Sequence, residues 1–251
     1  MRLAGKSAIV TGAGQGFGEG IARLFAQEGA SVVVADINGE TADRVAREIG
    51  ANGGRAVAVA CDVSTDAGTG AMVRTALDRF GRLDIIVNNA GVTHYNMPCT
   101  QVSEADFDRV FAVNVKALFW AAKHVVPLMQ RQGGGVILTT ASTAGIRPRP
   151  GLVWYNASKG AAITATKALA IELAPAKIRV NCLCPVAGET PLLAAFMGGD
   201  TPELREKFRA TVPLGRLSTP LDVARAALFL ASDEAEFLTG VALEVDGGRC
   251  I

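Results

Sequence analysis

Short apolar segments without polar alternation recur along the first half of the chain, and each is followed by a stretch with helical spacing. The first such segment is "KSAIVTG". The next stretch places Ile21, Leu24 and Phe25 at helical intervals, and Gly29 follows as a natural stop. The same order repeats with "SVVVAD", "AVAVACDV" and "LDIIVNNAG". Continuous apolar strands that alternate with helices predict a parallel sheet that is covered on both faces.

The second half of the chain keeps this order with longer helices. A helix is predicted from about Ser103 to Gln130, with Ser103 and Asp106 in capping-box-like positions. Strands are predicted at "GVILTTAS", "IRVNCLCP" and "VALEV", and helices across "VWYNASKGAAITATKALAIELA" and near "TPLDVARAALFLAS". No low-complexity linker divides the chain. The pattern therefore predicts the α/β class, with one doubly wound domain over residues 1–251.

Charge and composition exclude several classes of partner. The formal net charge of the 251 residues is +1, which leaves no basic excess for nucleic acid or for an anionic membrane surface. No apolar run reaches the roughly 18 residues of a membrane-spanning helix. The N-terminus lacks the apolar stretch of a signal peptide, and the cysteine count of five is odd, so we expect reduced thiols and a cytoplasmic location.

The cysteines give little support to a metal site. Cys182 and Cys184 would share one face of a strand. However, the chain has no C-x-x-C pair and only two histidines, so no metal is expected. We interpret the cysteines as small buried hydrophobic residues.

A glycine-rich turn, "TGAGQGFG" (Thr11–Gly18), lies between the first predicted strand and helix. It does not match G-x-G-x-x-G but does match G-x-x-x-G-x-G, with Gly12, Gly16 and Gly18. Glycines permit a tight turn and let the backbone approach a pyrophosphate, which the N–H groups and the positive helix end then hold. A plain turn is the alternative, but the strand before it and the helix after it favour nucleotide binding.

Asp36 ends the second predicted strand, at the position where a carboxylate meets the hydroxyls of an adenosine ribose. Such a carboxylate repels a 2′-phosphate. No arginine follows Asp36 immediately, and Gln15 in the glycine turn is neutral, so NAD(H) is favoured over NADP(H). Asp62 and Val63, at the end of the third strand, could flank the adenine, although Asp62 could equally begin a turn.

Tyr155 and Lys159 are four positions apart in a predicted helix and therefore share one face of it. A free tyrosine has a pKa near 10, so a phenol that acts as a base near neutral pH needs a lowered pKa. An ammonium about 4 Å away supplies roughly 4 kcal/mol at an effective dielectric constant of 20. We therefore expect Lys159 to lower the pKa of Tyr155, which would act as the base in one direction and as the acid in the other.

Two further polar residues fit the same chemistry. Ser142 ends the fifth predicted strand and could hold a substrate oxygen for Tyr155, although a serine there could also simply cap a turn. Asn114 lies inside a long apolar helix, where asparagine is a poor helix former. It could hold a water that links Lys159 to solvent, or it could be a core asparagine whose hydrogen bonds are satisfied.

Taken together, these motifs resemble the classical short-chain dehydrogenase/reductase family. The matching pieces are "TGAGQGFG", Asp36, "CDV", "NNAG" (Asn88–Gly91), Asn114, Ser142, "YNASK" and "VDGG" (Val245–Gly248), in order along the whole chain. The resemblance implies a single-domain Rossmann fold with a seven-stranded parallel sheet. It implies catalysis by Asn114, Ser142, Tyr155 and Lys159, and usually a homotetramer in which the long helices form an interface.

The resemblance also implies the cofactor contacts. Lys159 would hold the nicotinamide ribose, and the cofactor-binding set would be Gly12, Gln15, Gly16, Phe17, Gly18, Asp36, Ile37, Asp62, Val63, Asn89, Ala90, Gly91, Tyr155, Lys159, Pro185, Gly188 and Thr190. The family commonly has Pro-Gly after strand six, whereas here Val186 follows Pro185 and the glycine is displaced to Gly188. This departure puts the backbone path over the nicotinamide in question.

Large apolar residues near the expected substrate site favour a hydrophobic or aromatic ketone or secondary alcohol. The pocket candidates are His94, Tyr95, Ile146, Trp154, Val186, Leu192 and Phe196. Arg147 and Arg149 could meet an anionic substrate, but we favour a solvated loop for both. Two other functions stay open: a 3-oxoacyl-[acyl-carrier-protein] reductase that uses NADPH, and a non-catalytic nucleotide-binding sensor or scaffold.

Overall fold

Seven parallel strands form one sheet in the computed structural model, which describes residues 1–251. The strands are β1 (Ser7–Thr11), β2 (Ser31–Asp36), β3 (Arg55–Ala60), β4 (Ile85–Asn88), β5 (Gly135–Thr140), β6 (Ile178–Pro185) and β7 (Ala242–Val245). Their order across the sheet is β3-β2-β1-β4-β5-β6-β7. The doubly wound seven-stranded sheet is therefore confirmed. Because the order reverses between β1 and β4, a crevice is expected at their carboxyl ends.

Helices connect the strands and cover both faces of the sheet. They are α1 (Gly16–Gln27), α2 (Gly39–Ala51), α3 (Asp66–Phe80), α4 (Glu104–Phe111), α5 (Ala117–Gln132), α6 (Val153–Leu173), α7 (Leu193–Met197), α8 (Pro202–Arg209) and α9 (Pro220–Ala231). None of them has both the length and the apolar composition that crossing a lipid bilayer requires.

Successive residues of each strand point to opposite faces of the sheet, and a separate apolar cluster covers each face. On one face Val10 belongs to a cluster with Phe25 of α1 and Leu228 of α9. On the other face Ile9 belongs to a cluster with Val125 of α5. Burying a side chain of this size stabilises the fold by about 1.5–3 kcal/mol. The two cores hold the sheet edge, and with it the site, in a fixed geometry.

The long helix predicted from Ser103 to Gln130 is interrupted. Its two parts, α4 and α5, are joined by a π-helical turn over Ala112–Lys116. At its start the Ser103 hydroxyl accepts a hydrogen bond from the Asp106 N–H at 3.1 Å, so the predicted cap is present. The wider turn contains the buried Asn114, whose side chain hydrogen-bonds to Val92 and Ser158 outside the turn.

The region 186–210, for which the sequence pattern predicted no helix or strand, contains the two short helices α7 and α8. Thr201 caps α8 by accepting a hydrogen bond from the Leu204 N–H at 3.3 Å. The burial of Leu193 and Met197 of α7 against Leu217 gives this segment its own small apolar cluster. These helices cover the end of the sheet beyond β6.

Candidate active site

A cleft of about 350 Å³ opens at the carboxyl edge of the sheet, lined by residues that follow β1 to β6. Of the predicted cofactor-binding residues, those that line it are Gly12, Gln15, Gly16, Phe17, Asp36, Ile37, Asp62, Val63, Asn89, Ala90, Gly91, Tyr155, Lys159, Pro185, Gly188 and Thr190. The structure thus brings them to one cleft. Their contacts with a cofactor stay a prediction.

Gly18 differs from the other predicted cofactor residues, because it does not line the cleft. It lies in the first turn of α1 and is buried against the glycine turn and Asn89. A Cβ at this position would lie 2.7 Å from the Gly12 carbonyl carbon and 2.5 Å from Asn89 Nδ2. The predicted contact of Gly18 with the cofactor stays a prediction that the lining of the cleft does not support. Its small size instead lets α1 approach the turn closely.

The backbone conformation of the glycine turn and its hydrogen bond to Asp36 fix the shape of the turn beside the cleft. Gly12 and Gly16 have φ angles of +61° and +58°, in the left-handed region that favours glycine. The Gly14 N–H donates to Asp36 Oδ2 at 2.9 Å, and the Asn38 N–H donates to Oδ1 at 2.9 Å. The Asp36 carboxylate is thus fixed at the end of β2, beside the start of α1.

Asn89 ties together the strand ends that form the floor of the cleft. Its Nδ2 donates to the Thr11 carbonyl at 2.9 Å and to the Gly12 carbonyl at 3.3 Å, and its Oδ1 accepts from Thr140 Oγ1 at 3.1 Å. These bonds join the ends of β1, β4 and β5. The position of Asn89 and of the neighbouring Ala90 is therefore set by three strands.

Tyr155 and Lys159 lie on the cleft face of α6, and both side chains are buried except where they meet the cleft. Lys159 Nζ donates to the Thr140 carbonyl at 2.8 Å and lies 5.8 Å from the centre of the Tyr155 ring. Ser142 also lines the cleft, and its Oγ accepts from the Ala144 N–H at 3.1 Å. The helix and the end of β5 therefore bring the three predicted catalytic side chains to one wall.

The expected lowering of the Tyr155 pKa is wrong for the protein without a cofactor. Burial raises the pKa of Tyr155 to about 12, and a hydrogen bond with Ser142 opposes this effect only in part. Burial also lowers the pKa of Lys159 to about 8. The cost of placing a phenolate in a dry environment exceeds the effect of the Ser142 hydrogen bond, and Lys159 adds no resolved lowering of this pKa. At pH 7 the phenol is protonated, which is the form that donates a proton.

Asn114 lies behind the cleft wall and does not line the cleft. Its Nδ2 donates to the Val92 carbonyl and to Ser158 Oγ, both at 2.9 Å, and its Oδ1 accepts from the Val92 N–H at 2.9 Å. These bonds fix the segment after Gly91 against α6. The interpretation as a satisfied asparagine agrees with this geometry, and a water link from Asn114 to Lys159 stays a prediction.

The segment after β6 continues along the sheet despite the unusual Val186. The Val186 N–H donates to the Val245 carbonyl at 3.2 Å, and the only residue other than glycine with positive φ is Lys177. Gly188 forms an isolated bridge with Ser218, and the Thr190 N–H donates to the Gly188 carbonyl at 2.8 Å. Val186 therefore extends the strand and presents an apolar side chain to the cleft.

Among the predicted substrate residues, Val186, Leu192 and Phe196 line the cleft. The Phe196 ring packs edge-on against the Tyr155 ring, with 5.0 Å between their centres. An apolar group on the substrate would therefore meet Phe196 immediately beside the phenol. Their contact with a substrate stays a prediction.

Four predicted pocket residues do not line the cleft, and their contact with a substrate stays a prediction. His94 is fully buried, with its Nδ1 2.7 Å from the Tyr95 carbonyl, and the Tyr95 side chain is exposed on the outer surface. Ile146 also points outward. Trp154 turns away because its ring packs against Phe107, 5.3 Å away. These four residues precede or follow the cleft residues along the chain but face other directions.

Sequence reasoning missed two residues of the substrate end, Leu152 and Phe208, and set aside a third, Arg149. Leu152 ends the loop before α6 and is buried in contact with Tyr155. Phe208 comes from α8, whose presence over the cleft had no signal in the sequence. For Arg149 the interpretation as a solvated side chain is wrong, since its guanidinium is half-buried in the cleft wall.

One group of side chains has metal-ligand spacing: Glu244, Asp246 and Cys250. However, the Asp246 carboxylate accepts hydrogen bonds from the Gly248 and Cys250 N–H groups at 2.8 and 2.7 Å, as in an ordinary turn. None of the three lines the cleft.

Comparisons with known proteins agree with this geometry. Residues 12–249 match the family model described as enoyl-(acyl carrier protein) reductase. The chain is 53% identical over the whole of both chains to 4-formylbenzenesulfonate dehydrogenase TsaC1/TsaC2 of Comamonas testosteroni. It is 41% identical to 7alpha-hydroxysteroid dehydrogenase of Escherichia coli K12, covering 99% of this chain and 95% of the relative. The crystal structure of a Brucella melitensis 3-ketoacyl-(acyl-carrier-protein) reductase with NADH has a TM-score of 0.93 and 51% identity, covering 99% of this chain and 100% of that one.

Proposed function

This chain belongs to the classical short-chain dehydrogenase/reductase family, and on that premise we propose that it transfers a hydride between NAD(H) and a secondary alcohol or ketone, with Tyr155 as the general acid and base. The observation that supports this most is one cleft wall that holds Ser142, Tyr155 and Lys159. The remainder of the same cleft is lined by the glycine turn and by Asp36.

The residues present suit a nicotinamide dinucleotide. When bound, the nicotinamide supplies or accepts the hydride. The N–H groups at the N-terminal end of α1 would hold the pyrophosphate, because they present positive partial charge, whereas the Ala13 and Gly14 N–H groups already donate to the Ala35 carbonyl and to Asp36. Lys159, at the opposite end of the cleft from Asp36, would hold the hydroxyls of the nicotinamide ribose.

The choice of NAD(H) over NADP(H) rests on Asp36. A 2′-phosphate with a charge of about −1.5 to −2 would lie beside a fixed carboxylate. Arg44 contacts the same turn by donating to the Gly14 carbonyl at 2.9 Å, but it is already paired with Glu19 and Glu48. No free cation therefore compensates for the phosphate. We expect kcat/KM to favour NAD over NADP by about a hundredfold or more, and a preference for NADP would contradict this role of Asp36.

In carbonyl reduction the protonated Tyr155 donates its proton to the substrate oxygen as negative charge develops there. The Ser142 hydroxyl donates a hydrogen bond to the same oxygen and orients it towards Tyr155. The Lys159 ammonium, held by the Thr140 carbonyl, stabilises the phenolate that forms. Alcohol oxidation follows the reverse path, with the phenolate as the base.

The substrate end of the cleft favours an apolar, ring-containing substrate. Leu152, Phe196 and Phe208 surround the space beside Tyr155. The name of the Comamonas relative specifies an aromatic aldehyde, and the name of the Escherichia relative specifies a steroid alcohol. Both are ring compounds with an alcohol or carbonyl group, which supports the same class of substrate here.

A second candidate activity is reduction of a 3-oxoacyl thioester, because the Brucella protein is described as a 3-ketoacyl-(acyl-carrier-protein) reductase. The net charge of +1 gives no general basic surface for an acidic carrier protein. Assay of acetoacetyl thioesters beside aromatic ketones distinguishes the two. Faster turnover of the thioester, on its carrier protein, would favour the second activity.

We also propose a homotetramer that uses the outer faces of α5 and α6. Phe119 of α5 and Val153 and Ile171 of α6 are apolar and at least 40% exposed. Covering them in an interface would remove this apolar surface from water. Light scattering of the purified protein measures the assembly, and a monomer would contradict the proposal.

The mechanism is tested by Tyr155→Phe, which removes only the hydroxyl. We expect NADH affinity to change by less than about threefold, while kcat falls by about 10²–10⁴-fold because general acid–base catalysis is lost. The control is Tyr95→Phe, which makes the same change at the other tyrosine of the chain, outside the cleft. Unchanged turnover in Tyr155→Phe on a proven substrate would contradict the mechanism.

A further inference from the structure

Arg149 is the one cation at the substrate end of the cleft other than Lys159. It lies in the loop between β5 and α6, and its guanidinium stacks on the Phe208 ring at 4.3 Å from the ring centre. The acidic residues that line the cleft are Asp36 and Asp62, which follow β2 and β3 at the adenosine end. The positive charge of Arg149 therefore faces the space beside Tyr155 without a nearby negative charge.

Two arginines in or near α8 differ from Arg149 in having acidic partners. On or next to α8, Arg205 pairs with Asp200 at 2.6 Å and Arg209 pairs with Glu206 at 2.8 Å. By contrast, Arg149 makes a single side-chain hydrogen bond, from Nη2 to the hydroxyl of Thr211 at 3.1 Å. A guanidinium has five N–H donors, so most of its donors are free for another partner.

The backbone of Arg149 is fixed in position relative to Tyr155. Asn156, the next residue after Tyr155 on α6, donates from Nδ2 to the Arg149 carbonyl at 2.7 Å. On the other side of the loop, the Met97 N–H donates to the Gly151 carbonyl at 3.0 Å. The loop backbone that carries Arg149 therefore keeps a set position relative to α6 and Tyr155, as a site that binds two ends of one substrate requires.

The electrostatic surroundings favour an anion at this position. Burial, together with the charges of Arg249 and Arg147, lowers the pKa of Arg149 to about 10. The side chain still stays charged at neutral pH, but at a cost that a bound anion would relieve.

We propose that Arg149 binds an oxyanion, a carboxylate or a sulfonate, on the end of the substrate remote from the reacting carbon. The apolar body of the substrate would then lie against Phe196 and Phe208, with its carbonyl or hydroxyl at Tyr155. The planar fork of the guanidinium matches both oxyanions with two parallel hydrogen bonds. This inference rests on the proposed function and adds to it that the substrate is an anion.

A binding experiment tests Arg149 without requiring turnover. The NADH complex is titrated calorimetrically with 4-methylbenzenesulfonate and with the uncharged 4-methylbenzenesulfonamide, and the ratio of their dissociation constants is the readout. For the unmodified protein we expect the sulfonate to bind about 10–100-fold more tightly, as a charged hydrogen-bonded pair predicts. In Arg149→Met the ratio falls to within about threefold of one, with NADH affinity unchanged.

Two further variants separate recognition from structure. Arg149→Lys retains the charge but lacks the planar fork, so an intermediate ratio is expected. Arg147→Met changes an exposed arginine of the same loop, outside the cleft, and should keep the ratio within about threefold of the original. Kinetics of 1-phenylethanol and 4-(1-hydroxyethyl)benzoate give the matching comparison of kcat/KM.

The results that overturn the proposal differ from those that overturn hydride transfer. Equal binding of the two compounds, undetectable binding of the sulfonate, or a ratio that Arg149→Met leaves unchanged would each refute anion recognition. If Arg149→Met loses NADH binding or stability, the test uses Arg149→Lys instead. A folded Arg149→Lys protein that keeps its charge but binds the sulfonate and the sulfonamide equally would also refute anion recognition. Intact anion preference with no alcohol oxidation would refute the proposed reaction alone.

Discussion

Replacing Gly18 by alanine is expected to impair both stability and cofactor affinity, although Gly18 does not line the cleft. The new methyl group would point from α1 into the glycine turn. It would lie 2.7 Å from the Gly12 carbonyl carbon and 2.5 Å from Asn89 Nδ2. Non-bonded carbon atoms prefer separations of about 3.5–4.0 Å, so the turn and the helix must move apart by about 1 Å.

The size of the effect follows from what must move. Overpacking of this kind costs about 1–3 kcal/mol. Displacing Asn89 also weakens its bonds to the Thr11 and Gly12 carbonyls, each worth about 1 kcal/mol. A total of about 3 kcal/mol corresponds to a fall in Tm of about 6–12 °C for a chain of this length. Because Gly12 and Asn89 line the cleft, NADH should bind less tightly as well.

The assay compares Gly18→Ala with Gly50→Ala by thermal unfolding and by NADH titration. Gly50 also lies in a helix, α2, but no atom lies within 4 Å of where its Cβ would be. There the alanine should raise stability by about 0.5–1 kcal/mol through better helix propensity, with no change in NADH affinity. The pair therefore differs only in the space around the added methyl group.

A Gly18→Ala protein with the original Tm and NADH affinity would refute this reasoning. It would mean that α1 can shift on the sheet without cost, and that its close approach to the turn does not shape the cleft. Lower stability with unchanged NADH affinity would refute only the prediction that Gly18→Ala weakens NADH binding.

Two further predictions concern the catalytic wall. The pKa of Tyr155 is raised and the phenolate is the base, so kcat/KM for alcohol oxidation should rise about tenfold per pH unit from pH 6 to 7.5. Over the same range kcat/KM for carbonyl reduction should change less than about threefold. An oxidation rate that does not depend on pH would contradict the assignment of Tyr155 as the base. Asn114→Ala removes three hydrogen bonds to Val92 and Ser158, so urea unfolding should show a loss of about 3 kcal/mol; a loss below about 1 kcal/mol would show that those groups find other partners.

The apolar pattern predicted the strands well because a parallel sheet buries both faces of each strand. "SVVVAD" became β2 with the same bounds, and Asp36 ends it at the cleft as expected. The pattern failed where the backbone departs from regular geometry. The π-helical turn around Asn114 has the same apolar periodicity as the helices on either side, so the sequence predicted one continuous helix.

The substrate end was the least predictable part of the site. Trp154 and Phe196 are both large aromatic residues near the expected pocket, yet only Phe196 lines it. The difference lies in packing. The Trp154 ring packs against Phe107 outside the cleft, and its Nε1 donates to the Cys99 carbonyl at 3.4 Å. Such contacts join residues that are distant in the chain, and no local pattern records them.

The sequence alone determined the class of fold, the nucleotide-binding edge and the Tyr155–Lys159 pair, because periodicity, turn chemistry and helical spacing are local properties. Only the tertiary structure decided that the Tyr155 phenol is buried and protonated, that Gly18 serves packing, and that Arg149 faces the cleft beside Phe208. Burial and electrostatic environment depend on every segment that packs around a residue, and those segments meet only when the whole chain has folded.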